Sequence, residues 1–119
     1  KIDLKKKYDL VIIFNCLEHI YDVSKTIKHL NKSLSISGSI LVEVPDVNFQ
    51  IKKADFNMFT FEHYNYFNLH SLNQIFKKEN LKMISYKSYN DTLFCVFKKS
   101  KLKGKKTYPK TFDLRNYKK

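Results

Sequence analysis

The chain has 119 residues, 43% of them apolar, which is enough for one small core and no more. Its net charge of +12 is lopsided: residues 98–119 hold ten of the 23 basic groups against a single acid, Asp113, so the remainder is close to neutral. Arg115 is the one arginine, which argues against a sequence-specific reader of nucleic acid, because such readers use guanidinium forks and a lysine tail is at best a non-specific electrostatic element.

Cys16 and Cys95 form no C-x-x-C pair, nothing resembles a secretory signal, and the longest apolar run, residues 10–14, is far too short to span a bilayer. A reduced, cytoplasmic protein with no membrane segment is the expectation. In chain order, Leu10-Val11-Ile12-Ile13-Phe14 is continuous, apolar and β-branched, as a parallel strand covered on both faces would be. A polar turn follows over residues 15–21. Asp22 then caps a helix running to about Leu34, with Val23, Ile27, Leu30 and Leu34 on one stripe. Residues 35–38 should end that helix, with Gly38 taking a positive φ, and residues 39–44 should form a second strand closed by Pro45. Strand, helix and strand make a βαβ unit with parallel strands.

Residues 45–68 are the least regular stretch, yet Phe49, Phe56, Phe59, Phe61, Tyr64, Tyr66 and Phe67 make it too aromatic for disorder. A loop with a short helical turn, packed over the body, is expected. Asn68 caps a second helix to about Asn80, burying Leu69, Leu72, Ile75 and Phe76. Residues 82–89 and 92–98 alternate as strands around Asn90-Asp91, a hairpin signal, and the lysine-rich text beyond, with Gly104 and Pro109, reads as a tail or linker. The fold class is α/β and partial: two parallel strands with a crossover helix, then a helix and an antiparallel hairpin. So apolar a first strand wants neighbours on both edges, which these elements cannot supply. Residues 1–98 are therefore expected to be the C-terminal half of a domain, and residues 99–119 a basic tail.

The segment Tyr8-Asp9-Leu10-Val11 with Asn15-Cys16-Leu17-Glu18-His19-Ile20, then the Leu-striped helix, Ser37-Gly38 and a strand ending in Val44-Pro45, resembles class I S-adenosylmethionine-dependent methyltransferases. Glu62-His63-Tyr64-Asn65-Tyr66-Phe67 is similar to the E-H-x-x-Y-F motif of a subgroup that includes enzymes of sugar modification. The resemblance, over residues 8–98, implies a Rossmann-like sheet whose first three strands lie upstream, S-adenosyl-L-methionine as cofactor, and a small-molecule or sugar-type methyl acceptor. The family's glycine-rich cofactor loop has no counterpart here, where Gly38 and Gly104 are the two glycines, so the isolated chain is expected to be inactive. The upstream half of its own domain is the expected partner, with pairing of two copies through the open sheet edge as a further possibility.

In open α/β sheets ligands sit beyond the carboxyl ends of the parallel strands, and both Glu-His pairs, Glu18-His19 and Glu62-His63, fall in segments at those ends. The resemblance implies His63 as the base that deprotonates the acceptor, with Glu62 orienting it or binding substrate; Asn15, Cys16, Leu17 and His19 along the cofactor; and Glu18, Tyr64 and Tyr66 toward the substrate. The plainer alternatives are that these residues tie the loops to the body. Cys16 reads as a small packed residue rather than a nucleophile, since no base partners it. No metal is expected: Glu18, His19 and, as a third group, His63 are candidate ligands, but Asn15 stands where a further acid would strengthen the set. His29 and His70 read as surface residues. A rival reading is a non-catalytic basic module that binds nucleic acid or protein through its tail.

Overall fold

The computed structural model describes residues 6–100. Strand β1 (Tyr8–Phe14) leads through a single-turn 3-10 helix (Leu17–His19) into helix α1 (Val23–Ser33), and the chain returns in β2 (Leu34–Pro45). A short helix α2 (Val47–Lys52) opens the aromatic stretch, helix α3 (Leu69–Lys78) closes it, and β3 (Leu81–Tyr89) and β4 (Thr92–Lys99) form the hairpin. The sheet order is β1-β2-β4-β3, with β1 and β2 parallel and the other pairs antiparallel. The basic tail lies outside the described residues.

The apolar stripe works as expected. Val23, Ile27 and Leu30 of α1, with Leu72 and Phe76 of α3, bury onto one sheet face against Val11, Ile13, Ile40, Val42, Val44, Leu93, Cys95 and Phe97. Phe76 stacks flat on Phe97 with ring centroids 3.9 Å apart, fixing α3 to the centre of the sheet. Asp22 caps α1 by accepting from the Lys25 amide at 2.9 Å. Asn68 and Ser71 form a reciprocal capping box on α3, so that helix starts where the sequence places its cap. Within α3 only Leu72 and Phe76 are fully buried; Leu69 and Ile75 pack at the margin.

The opposite sheet face stays open. Leu10, Ile12 and Phe14 alternate with the buried Val11 and Ile13 and are about half exposed, at 54%, 54% and 47%. Among the described residues β1 has one neighbour, β2, so it is an edge strand covered on one side.

Gly38 departs from expectation. It does not end the helix in a positive-φ turn: α1 stops at Ser33, Leu34 already begins β2, and Gly38 lies inside that strand. The register between β1 and β2 slips there, Tyr8 facing Leu34 while Leu10 faces Ser39. Ile36 and Ser37 bulge into solvent while Leu34 and Gly38 stay buried, and a Cβ on Gly38 would meet the Tyr8 carbonyl oxygen and the Leu34 side chain at 2.8 Å. The glycine is required for close approach rather than for a turn.

Candidate functional site

The site lies at the carboxyl ends of β1 and β2. After Phe14 the chain turns through Asn15 at φ 44°, whose amide donates to the Glu43 carbonyl at 3.3 Å. This turn is less solvated than its composition suggests, because Leu17 and Glu18 are buried. Cys16, by contrast, is exposed, which corrects the expectation of a packed residue; it sits on the outer side of the turn while Leu17 takes the core position. Leu17 is buried whole, main chain included, and presents no surface to a ligand on this rim.

The second rim segment leaves β2 at Pro45 and comes back beside its own start. Asp46 bridges Phe67, the Val47 amide donates to the Phe67 carbonyl at 2.9 Å, and the Asp46 amide donates to the Asp91 carbonyl at 2.7 Å. Asp46 caps α2 through the Asn48 amide, and burial holds its carboxyl above the usual range, only partly offset by hydrogen bonds from Asn48 and Phe49. Below it in the core, burial and the negative charge of Asp46 push the Cys95 thiol up to about 12.

The two segments are stapled together. The Glu18 carbonyl accepts from the amides of both Tyr64 and Asn65, at 2.9 and 3.1 Å, and the Asn65 side chain donates to the Ile20 carbonyl at 2.6 Å. His19 Nδ1 lies 3.0 Å from the Glu62 carbonyl oxygen. These contacts bring His19 and His63 edge to face, with ring centroids 4.7 Å apart, and Tyr66 edge-on to His63 at 6.0 Å. Tyr64 packs against Tyr21 at 5.8 Å. Glu18 lies beneath, its Oε1 3.7 Å from His19 Nε2 and its buried Oε2 without a partner. Both Glu-His pairs thus share one rim, but the partnering is crossed. Glu62 meets His19 through its main chain, and among the described residues its exposed carboxylate makes no bond to His63.

The aromatic stretch is only partly a packed cover. Met58 and Phe67 are buried, whereas Phe56, Phe59, Phe61 and Tyr64 are exposed, contrary to the expected packing of the loop over the body. The crevice between Glu18, Pro45, Met58, His63, Asn65 and Tyr66 is closed tightly enough that it contains no water-sized void. His29 and His70 are exposed on the helices. Asn65 is the positioning residue that sequence reading missed: it sits inside the Glu62–Phe67 motif, and an asparagine flanked by tyrosines was its one available signal.

A family model described as "Methyltransferase domain" matches residues 2–86. The chain belongs to that methyltransferase family. Its sheet and helices form part of the corresponding Rossmann-like fold. One structural neighbour is an S-adenosylmethionine-dependent methyltransferase from Clostridium acetobutylicum, with TM-score 0.64 and 10% identity, covering 84% of this chain and 61% of the neighbour. The CcbJ methyltransferase from Streptomyces caelestis gives 0.66 at 12% identity, with 84% and 61% covered. A third is the Burkholderia thailandensis 1,6-didemethyltoxoflavin-N1-methyltransferase with its acceptor and S-adenosylhomocysteine bound. It gives 0.58 at 11% identity, with 77% and 44% covered. This methyltransferase domain therefore spans less than two thirds of the length of these neighbours. No curated protein matches it in sequence. Among the described residues no helix is long and apolar enough to cross a membrane.

Proposed function

We propose that this domain takes part in methyl transfer from S-adenosyl-L-methionine to a small-molecule or sugar-type acceptor, with His63 as the base at the acceptor. The observation that carries the reading is the stapled rim: His63 and His19 meet at 4.7 Å beyond the carboxyl ends of two parallel strands, where ligands of open α/β sheets bind. Neighbours of the same fold hold S-adenosylhomocysteine, and one of them also holds 1,6-didemethyltoxoflavin, which favours that cofactor and a small-molecule acceptor.

When bound, the cofactor supplies an electrophilic methyl group on a sulfonium. The protein's share is placement and proton removal. Asn15 and Cys16, exposed on the positive-φ turn after β1, fit the methionine end of such a molecule, with the exposed His19 ring alongside and Leu17 packed beneath to hold the turn. Glu18, Tyr64 and Tyr66 flank the acceptor side. His63 is half-buried with no side-chain hydrogen bond among the described residues, so a ring nitrogen is available to take a proton. Glu62 contributes by its carbonyl, which orients His19, rather than by gripping His63.

The chain contains no glycine-rich loop for the rest of the cofactor, since its two glycines are Gly38, inside β2, and Gly104. In this reading the isolated chain is inactive and acts with the upstream half of its domain in a cytoplasmic, reducing setting; both cysteines are free. The open edge of β1 supports completion of the sheet by a further strand, and the uncovered Leu10, Ile12 and Phe14 support a further layer over that face, from that half or from a second copy. The experiment is single-turnover methyl transfer by the whole protein with His63→Ala. The expected result is a rate loss of about 10²–10⁴-fold with unchanged S-adenosylmethionine affinity. An undiminished rate would refute the assignment.

A further inference from the structure

Glu18, His19 and His63 each place one ligand atom within 4.8 Å of the other two. Acids and imidazoles meet on many rims, but two further features here point to a cation. Glu18 Oε2 is buried without a hydrogen-bond partner, and the Glu18 side chain is only 4% exposed. An orphaned carboxylate oxygen is costly. The nearest imidazole nitrogen to Oε1, His19 Nε2 at 3.7 Å, is too far for a hydrogen bond.

The second feature is the orientation of His19. Its Nδ1 faces the Glu62 carbonyl oxygen at 3.0 Å. A carbonyl can only accept, so in the neutral ring Nδ1 carries the hydrogen and Nε2 turns its lone pair toward Glu18. An imidazole fixed by an outer carbonyl in this way is the arrangement usual for a metal ligand.

We propose that Glu18, His19 and His63 bind one divalent transition-metal ion of the zinc class, and that a bound ion withdraws His63 from proton transfer. The second half of this statement rests on the base reading above. Two imidazoles and a carboxylate suit zinc, cobalt or nickel better than magnesium or calcium. The sequence counts against a metal because Asn15 supplies no acid, but the geometry does not need Asn15. Glu18 and His19 are adjacent on one tight helical turn, and His63 arrives from the stapled loop. Ligand atoms held about 2.1 Å from a tetrahedral ion lie roughly 3.4 Å apart. The widest separation must therefore close by about 1.4 Å, a movement within reach of the half-buried His63 ring. A fourth position is left open.

The test is titration of the metal-free, full-length protein with Co²⁺, followed by visible d–d absorption and competed with Zn²⁺. One equivalent should bind, be displaced by Zn²⁺ and not by Mg²⁺, and be lost in His63→Ala. Glu18→Gln should weaken it by more than the roughly 10–100-fold typical of losing an outer partner. Cys16→Ser, His29→Ala and His70→Ala should leave it unchanged. Binding retained in His63→Ala, or lost in any of those three controls, would overturn the site. His63 lies outside the core, so its variant decides the question even if Glu18→Gln fails to fold. Methyl transfer with chelator and then with zinc separates the two claims. Binding without inhibition would reject the withdrawal of His63. A metal-free His63→Ala protein of full activity would reject the base and leave the metal site standing.

Discussion

Removing the Asn65 side chain should loosen the rim in a measurable way. Its amide nitrogen donates to the Ile20 carbonyl at 2.6 Å in a partly buried setting, and its own main-chain amide reaches the Glu18 carbonyl at 3.1 Å. Asn65→Ala deletes the first bond. A net hydrogen bond contributes about 0.5–1.5 kcal/mol, and an acceptor left unsatisfied costs about 1–3 kcal/mol. The Ile20 carbonyl lies near half-exposed residues and recovers water, so the low end applies, about 1–2 kcal/mol in all. For a domain of about 60–100 residues each kcal/mol lowers the melting temperature by roughly 4–8 °C. Asn65→Asp should be worse, since it sets a carboxylate oxygen against the carbonyl. Because the same staple holds His63 beside His19, misplacement by about 1 Å should also slow methyl transfer by up to about 100-fold, chiefly in kcat. Thermal unfolding and steady-state kinetics on the three proteins provide the check. Wild-type stability with a wild-type rate in Asn65→Ala would refute the role given to the staple.

Gly38→Ala should destabilise the domain by about 1–3 kcal/mol, because the new methyl group meets a backbone oxygen, Tyr8 O, at 2.8 Å; a neutral result in denaturant unfolding would contradict the close approach. Burial raises the Asp46 carboxyl above its unfolded value, so its contribution favours the fold below about pH 4 and is lost as pH rises through the folded pKa. Asp46→Asn keeps the cap on α2 and should flatten that pH dependence while leaving stability at neutral pH equal or higher; a marked loss at neutral pH would count against it. Iodoacetamide at mildly alkaline pH should alkylate exposed Cys16 and spare Cys95, whose thiol burial pushes up to about 12, until the protein unfolds. Mass spectrometry finding Cys95 modified in the folded protein would contradict that burial.

The elements were legible where periodicity and capping act locally. The β-branched run of β1, the Val23–Ile27–Leu30 stripe and the Asn68 cap each carry their own signal, and all three elements form close to where they were read. The errors fall where a distant backbone decides. Gly38 has the sequence of a helix stop, but its role depends on the Tyr8 carbonyl some thirty positions away. Leu17 and Glu18 look like turn residues; their burial follows from the loop that later folds over them, with Tyr64 and Asn65 donating to Glu18. That the Glu-His pairs share a rim could be read from topology, because strand ends of a βαβ unit point the same way. Their crossed partnering could not, because the Glu62 group that meets His19 is a main-chain carbonyl, which every residue has.

The central claim is that the rim joining Asn15–Cys16 to His19 and His63 is where methyl transfer takes place. A crystal structure of the full-length protein with S-adenosylhomocysteine tests it most directly. The sulfur should lie beside the Asn15–Cys16 turn, with His63 facing it across the width of one acceptor group. A cofactor bound at the far ends of β1 and β2, or a His63 ring turned away from the sulfur, would contradict it.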